Sequence, residues 1–229
     1  MIKWHQLLAL ALTDFFTGTF YKVEAEIDLS KKKQILDLLI VEQGEGKPPE
    51  ELPDGLDNLV GHNLISYKSH QETLDAWTLD EFLGYYTNYR KQSSPSFNDL
   101  LPARDFHLYA LSTRYPDKLA AEFPFQKLGE GVYERLWGSR RVRIIVLSRI
   151  PKTERNAIWL MFSARADKVR YGASRYRWRT EVSTLINDLF RKYDTEGIAM
   201  PYTVEDYFRQ RKEEVLRNLT SEDLDNLLR

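Results

Sequence analysis

The sequence predicts an α/β protein in which a central mixed sheet is flanked by helices. Residues 5–16 place leucine and phenylalanine at spacings of three and four, which is typical of an amphipathic helix. Residues 21–29 alternate apolar and acidic side chains, as a strand with one buried face does. Residues 35–41, ILDLLIV, are apolar on both faces, which is typical of a strand covered on both sides.

The remaining elements of the first half follow from the same signals. The first helix ends at Gly18, and the strands 21–29 and 35–41 form a hairpin. Residues 43–63 are rich in Gly, Pro and Glu and predict a loop. A short strand at 64–68 then precedes a long helix at 71–91, whose first turn would carry Glu72 and Asp75, and a second loop at 93–102.

The second half predicts a strand at 106–113, a short helix at 116–123 and a hairpin of strands 132–136 and 142–147 that turns at Gly138 and Ser139. From about residue 174 the chain reads as mostly helical, with a break at Pro201. We therefore expect a core over residues 1–180 and a helical C-terminal extension over 181–229.

Composition limits the classes of function. With 42% hydrophobic and 29% charged residues, the 229-residue chain is typical of a globular protein. It contains no cysteine, which excludes disulfides, zinc-thiolate sites and cysteine nucleophiles and suits a reducing cytoplasm. No apolar run approaches the roughly 20 residues of a membrane span, and the N-terminus reads as a core helix and not as a signal. Phosphate loops, nucleophile elbows and zinc-peptidase motifs are absent.

Charge is distributed unevenly along the chain. Residues 135–179 contain 13 Lys and Arg against two acids, between two acidic flanks. Within this stretch, cations alternate with Tyr171, Tyr176 and Trp178, a mixture that suits phosphates and stacked bases, particularly of single strands. The candidate nucleic-acid-binding residues are Lys168, Arg170, Arg175, Arg177 and Arg179. Alternatively, these arginines cover the acidic flanks of the same chain or of a second subunit, and the aromatic residues belong to the core.

Asp37 is the only charged residue of ILDLLIV, and a buried carboxylate is costly unless it is paired. A two-residue turn at Lys31 and Lys32 would pair residues whose numbers sum to 63, placing Glu26 opposite Asp37. Two carboxylates at one point of a sheet could bind a divalent cation through oxygen. A three-residue turn would break this register.

Lys68 is likewise the only charge in its strand. A lysine at that position could orient or deprotonate a water, or stabilise the charge of a phosphate in its transition state. A metal ion, an acid and a lysine together form a set suited to phosphodiester hydrolysis. The alternative is a structural salt bridge between Asp37 and Lys68, or between Asp37 and a lysine of the turn.

The order of helix, hairpin with a solitary Asp, strand ending in Lys, and long helix resembles the PD-(D/E)XK nuclease superfamily. Several segments are similar to a bacterial group, common in cyanobacteria, that is related to recombination-promoting nucleases and transposase-type proteins: LLALALTDFFTGTF, KVEAEIDLSKKKQILDLLIV, NLISYKSHQETLDAW, AMPYTVEDYFRQ and LTSEDL. The resemblance implies a restriction-endonuclease-like core, a Mg²⁺ or Mn²⁺ cofactor and DNA as the more favoured partner.

By the same resemblance, Asp37 would be the metal-binding aspartate and Lys68 the motif lysine. The acidic position of the (D/E)XK triplet, however, is Ser66, and Asp14 is the only acid that the first helix offers. Replacement ligands would have to come from Glu26, Asp28 or Glu72, while His70 reads more simply as a surface or capping residue.

Three functions remain open at this point. The first is a Mg²⁺-dependent DNA endonuclease in which Asp37 and Glu26 bind the metal and Lys68 assists the attacking water. The second is an inactive module that keeps the fold and binds nucleic acid or protein. The third is a structural subunit that forms a homodimer through residues 142–147 and the final helices.

Overall fold

The computed structural model describes residues 3–28, 35–42, 44, 46–176 and 183–198, together with 206, 209, 212 and 213; for 26–28 and 183–187 it describes the backbone only. The helices are α1 (Trp4–Phe16), α2 (Ala76–Ser93), α3 (Asp117–Glu122), α4 (Ala157–Met161), α5 (Ala166–Arg175) and α6 (Ser183–Thr195). The strands are β1 (Tyr21–Asp28), β2 (Ile35–Glu42), β3 (His62–Lys68), β4 (Phe106–Ser112), β5 (Gln126–Gly129), β6 (Val132–Trp137) and β7 (Arg140–Val146).

The strands form one mixed sheet in the order β1-β2-β3-β4-β7-β6-β5. Strands β1, β2 and β3 pair antiparallel, as do β5, β6 and β7. In the centre, β4 lies parallel to both β3 and β7. The three central strands therefore end at the same edge of the sheet, at Lys68, Ser112 and Val146.

Apolar side chains bury both faces of the sheet. On one face, Leu38, Ile65 and Leu111 belong to a hydrophobic cluster that includes residues of α1, α4, α5 and α6. On the other face, Leu64 and Ile144 belong to a second cluster, to which α2 and α3 contribute. The sheet is therefore sandwiched between helical layers, which confirms the α/β class with helices on both sides.

The N-terminal half follows the predicted order. Helix α1 spans almost the predicted residues, and Gly18 after it has a φ of 79°, a conformation that glycine adopts without strain. Strands β1 and β2 pair as a hairpin, from Tyr21↔Glu42 to Asp28↔Ile35, in the register whose numbers sum to 63. The predicted turn at Lys31 and Lys32 lies outside the described residues. The hairpin of β6 and β7 is also confirmed.

The predicted start of the long helix was wrong. Helix α2 begins at Ala76, and Asp75 precedes it as the N-cap, accepting hydrogen bonds from the backbone N–H and the hydroxyl of Thr78 at 2.8 Å each. Glu72 lies before the helix, where its carboxylate accepts hydrogen bonds from the N–H and hydroxyl of Ser69 at 3.0 and 2.8 Å. The two acids do lie near the start of the helix, as predicted. Asp75 is its N-cap and Glu72 belongs to the preceding turn, so neither is in the first turn.

Three elements were not predicted: β5, α4 and α5. Strand β5 has mostly exposed side chains and shows no apolar alternation, so its pattern carries no strand signal. Helix α4 is five residues long and entirely buried, so it has no polar face. The predicted helical stretch from about residue 174 contains α6, and Pro201 lies outside the described residues.

Residues 142–147 lie mostly in β7, an interior strand of the sheet. Val142, Ile144, Ile145 and Val146 are fully buried by the protein's own core. This segment therefore offers no surface for the homodimer that the sequence left open. Among the described residues, no helix combines the length and hydropathy that a membrane span requires.

Candidate functional site

The carboxylate of Asp37 binds the neighbouring strand β3. Its Oδ2 accepts a hydrogen bond of 2.8 Å from the main-chain N–H of Tyr67 and a longer one of 3.4 Å from the hydroxyl of Ser66. Main-chain pairing of β2 with β3 runs from Val41↔His62 to Leu38↔Ile65. At the next position, the hydrogen bond from the β3 main chain is accepted by the side chain of Asp37 and not by the main chain of β2. Within the described part of the chain, Oδ1 of Asp37 has no hydrogen-bond partner.

Burial raises the pKa of Asp37 above its ordinary value. The N–H of Tyr67 and the positive charges of Lys68 and His5 act in the opposite direction, while the negative charge of Glu72 raises the pKa further. The carboxylate is therefore desolvated and only partly compensated by its surroundings. A perturbed acid in such a position is typical of functional sites, although structural networks produce the same effect.

Lys68 lies at the end of β3, partly buried and close enough to Asp37 to lower the pKa of its carboxyl. Its ammonium nevertheless makes no ion pair within 4.0 Å with any residue that the structure describes. The structural salt bridge between Asp37 and Lys68 is therefore not formed. The two side chains lie on adjacent strands, and among the described residues Oδ1 of Asp37 accepts no hydrogen bond and the ammonium of Lys68 makes no ion pair. The lysines of the predicted turn lie outside those residues.

Glu26 is placed by the register of the hairpin. The pairs on either side of it, Ala25↔Leu38 and Ile27↔Leu36, keep the predicted register and bring the backbone of Glu26 opposite Asp37. The side chains of Glu26 and Asp28 are outside what the structure describes. The predicted juxtaposition therefore holds for the main chain.

The other acids near the candidate site have structural partners. Asp14 is buried in α1, and its Oδ2 accepts a hydrogen bond of 3.0 Å from the hydroxyl of Tyr176. Glu72 closes the turn at Ser69, as described above. His70 faces Glu196 with 3.1 Å between Nε2 and Oε2, and burial lowers its pKa despite that carboxylate. The contact joins the turn after β3 to the turn after α6.

The fit of a divalent cation to this site is partial. Carboxylate oxygens are the ligands that Mg²⁺ prefers, and one oxygen of Asp37 accepts no hydrogen bond from the residues that the structure describes. Among the described side chains, no three His, Cys, Asp or Glu residues are grouped as a metal site. A magnesium site at Asp37 would therefore need its second acid from Glu26 or Asp28, whose side chains lie outside the described residues, because Ser66 supplies no charge.

The predicted nucleic-acid-binding residues divide into two groups. On α5, the ammonium of Lys168 donates to the carbonyl oxygens of Ser148 and Ile150, and Arg175 lies 3.3 Å from Glu154. Arg170, also on α5, is engaged with another residue. Arg177 and Arg179 lie outside the described residues. The cations of α5 thus have partners within the protein.

Sequence reasoning missed two features beside the candidate site. The first is Tyr85 of α2, whose pKa is raised by burial and, to a lesser extent, by the negative charges of Glu81 and Asp37. The second is a cavity of about 920 Å³ bordered by the segments that follow β3 and β4. No motif marks either feature, since both arise from the packing of separate segments. The exposed Trp77 at the start of α2 was the one available signal for the cavity.

Comparison with known proteins gives no family assignment: no protein-family model, no curated protein and no solved structure matches this chain.

Proposed function

We propose that this protein is a metal-dependent, nuclease-like protein that acts on DNA phosphodiester bonds at a site formed by Asp37 and Lys68. The observation that carries the proposal is the position of these two residues on adjacent strands, a desolvated carboxylate beside an ammonium that has no ion-pair partner among the described residues. A purely structural pair would be expected to close into a salt bridge, because an unpaired partly buried charge is costly.

The order of elements supports a restriction-endonuclease-like core. Helix α1 is followed by the hairpin β1 and β2, which carries Asp37, then by β3, which ends at Lys68, and then by the long helix α2. This is the order on which the resemblance to the PD-(D/E)XK superfamily rests. The candidate residues also lie towards the edge at which β3, β4 and β7 end, and ligands of α/β sheets commonly bind beyond such strand ends.

Each residue has a role that its position permits. Asp37 and Glu26 would hold the divalent cation, which when bound supplies Lewis-acid chemistry to a phosphate oxygen. Lys68 would bind the phosphate and stabilise the negative charge that develops on it during attack by water. The N–H of Tyr67 binds Oδ2 of Asp37, and Oδ1 accepts no hydrogen bond from the described residues, so Oδ1 would be the oxygen available to the cation.

Cleavage of plasmid and single-stranded DNA in Mg²⁺ or Mn²⁺ tests the proposal. We expect Asp37→Asn and Lys68→Met each to lower the cleavage rate by about 100-fold or more, as the loss of a group that stabilises the transition state does. The exposed Asp99→Asn and Lys47→Met are matched controls that change the same groups elsewhere on the surface. Cleavage that survives both Asp37→Asn and Lys68→Met would place the activity elsewhere.

A second candidate is an inactive module that binds nucleic acid with the same fold. The observation that favours it is the neutral Ser66, whose hydroxyl binds Asp37 at the position where the superfamily pattern has an acid. This candidate predicts that the wild-type protein binds DNA equally well with EDTA and with Mg²⁺, and cuts it in neither. Metal-dependent cleavage by the wild-type protein would exclude this candidate.

A further inference from the structure

A second site is suggested by two cavities that adjoin each other beyond the ends of the central strands. The first, of about 920 Å³, is lined by the start of α2, by α3 and by the segment between β4 and α3. The second, of about 430 Å³, shares Ser148 and Arg149 with the first. Cavities of about 300 to 1,000 Å³ are typical of ligand sites.

The first cavity borders the proposed catalytic site. Ser112, which lines it, is the register partner of Lys68 across β3 and β4. Glu72, which also lines it, is close enough to Asp37 to raise the pKa of that carboxyl. Asp37 and Lys68 do not line the cavity themselves, so a chain that occupied it would be separated from them by Glu72 and Ser112.

The first cavity offers an aromatic surface. Trp77 lines it at the start of α2 and is 74% exposed, and its ring contacts no other aromatic ring or cation among the described residues. Tyr115 also lines the cavity, with the guanidinium of Arg149 at 3.6 Å from the centre of its ring. An exposed indole of this kind stacks on an unpaired base, because the faces of bases within a duplex are already covered by their neighbours.

The charges of the two cavities differ. The first is lined by four acids and three cations, so it does not favour a phosphate group. The second is lined by four cations and two acids, the cations being Lys127, Arg149, Arg165 and Lys168. One of those acids, Asp167, lies 2.6 Å from Lys152, which does not line the cavity, and 3.9 Å from Arg165. Phosphates are therefore favoured in the second cavity and a base in the first.

We propose that the two cavities form one channel for single-stranded nucleic acid, in which Trp77 stacks on a base while Lys127, Arg149 and Arg165 bind the phosphates of the adjoining nucleotides. This inference rests on the proposed function and specifies its substrate as unpaired or locally unwound strands. In this proposal the principal phosphate contacts do not come from the cations of α5. Lys168 of α5 lines the second cavity, but its ammonium donates to the carbonyl oxygens of Ser148 and Ile150.

Fluorescence anisotropy of a labelled oligothymidine, in EDTA so that nothing is cut, tests the channel. We expect Trp77→Ala to weaken binding by about 5- to 150-fold, the range for loss of one stacked base. The control is Phe97→Ala, since Phe97 is 75% exposed and lies in another loop; it should leave binding unchanged. Equal effects of the two variants, or no binding by the wild-type protein at low salt, would overturn the channel.

The phosphate contacts are tested by salt dependence. The double variant Lys127→Glu, Arg165→Glu should bind more weakly and should lower the slope of log affinity against log salt by about 0.7 for each phosphate contact that is lost. Arg104→Glu, at an 87% exposed guanidinium away from the channel, is the control. An unchanged slope in the double variant would overturn the assignment of these cations. Melting temperatures show whether each variant is folded.

Failure of the channel and failure of the proposed function give different results. If Asp37→Asn abolishes cleavage but Trp77→Ala changes neither binding nor cleavage, the catalytic site stands and the channel does not. If oligothymidine binds and depends on Trp77 while no metal supports cleavage, the channel stands and the nuclease proposal does not. A duplex that binds as tightly as oligothymidine and does not depend on Trp77 would also overturn the channel.

Discussion

The main-chain N–H of Tyr67 donates a hydrogen bond of 2.8 Å to Oδ2 of Asp37, so that a side chain of β2 replaces a main-chain partner of β3. This contact stabilises the ionised form of Asp37 and lowers the pKa of its carboxyl, yet burial outweighs it and the net direction is upward. Folding therefore places a carboxylate where its charge is unfavourable.

Replacing Asp37 with asparagine should stabilise the protein at about pH 7. A carboxyl whose pKa is raised on folding adds stability below its unfolded pKa, and that stability is lost as pH rises through the folded pKa. The side-chain amide of the Asp37→Asn variant carries no charge and could still accept the hydrogen bond from Tyr67. We expect a melting temperature about 2–4 °C higher, which corresponds to about 1 kcal/mol for a chain of this size.

The advantage of the Asp37→Asn variant should shrink as the pH is lowered towards 3.8, the ordinary value for the group, because the wild-type carboxyl then becomes neutral. Thermal melts of both proteins at several pH values between about 7 and 4 measure the difference. A variant that is less stable than the wild type at about pH 7 would show that the charge stabilises the fold.

Replacing Tyr176 with phenylalanine should destabilise the fold. The hydroxyl of Tyr176 donates to the carboxylate of Asp14, and both side chains are buried. Removing a donor from a buried carboxylate costs about 1–3 kcal/mol. Urea unfolding measures the change, and Tyr171→Phe, at a partly exposed ring of α5, should change stability much less. Equal stability of the two variants would mean that Asp14 does not need this donor.

Replacing each of two helical glycines with alanine should have opposite effects on the stability of the protein. A Cβ on Gly172 of α5 would lie 2.5 Å from the carbonyl oxygen of Ala157, so the close packing of α5 against α4 requires glycine. We expect Gly172→Ala to destabilise by about 1–3 kcal/mol. A Cβ on Gly84 of α2 meets nothing within 4 Å, and Gly84→Ala should stabilise by about 0.5–1 kcal/mol.

Urea denaturation of these two variants compares the same chemical change in two environments. A Gly172→Ala variant as stable as the wild type would contradict this prediction, because it would mean that α4 and α5 can move apart without lowering the free energy of unfolding.

Acidification below about pH 6.5 should destabilise the protein through its histidines. Burial lowers the pKa of His107, whose Nδ1 lies 2.6 Å from the carbonyl oxygen of Asn58, and that of His62, which stacks on Phe106. A group with a lowered pKa contributes stability above its unfolded pKa, and that contribution is lost as pH falls through the folded pKa.

The variant His107→Gln should therefore lose less stability than the wild type between about pH 7.5 and 5.5. Melting temperatures across this range measure the two slopes. Parallel slopes would show that His107 does not contribute to the acid sensitivity.

Periodicity in the sequence was sufficient to predict the elements that have one apolar face. It predicted α1, the hairpins and the strand that ends at Lys68, because local spacing and turn residues specify these elements. The register that brings the backbone of Glu26 opposite Asp37 is the one expected for a two-residue turn at Lys31 and Lys32, whereas periodicity alone left a three-residue turn open. Strand β5 and helix α4 were missed, because one has mostly exposed side chains and the other is buried throughout.

The sequence by itself determined which residues are candidates for chemistry: Asp37 and Lys68 are solitary charges in apolar strands, and that pattern is local. Only the tertiary structure decided their partners, because hydrogen bonds and burial depend on segments far apart in the chain. Asp37 binds the N–H of Tyr67 and leaves Lys68 unpaired within the described residues. The cavity beside them is likewise built from separate segments that meet only when the sheet and helices pack.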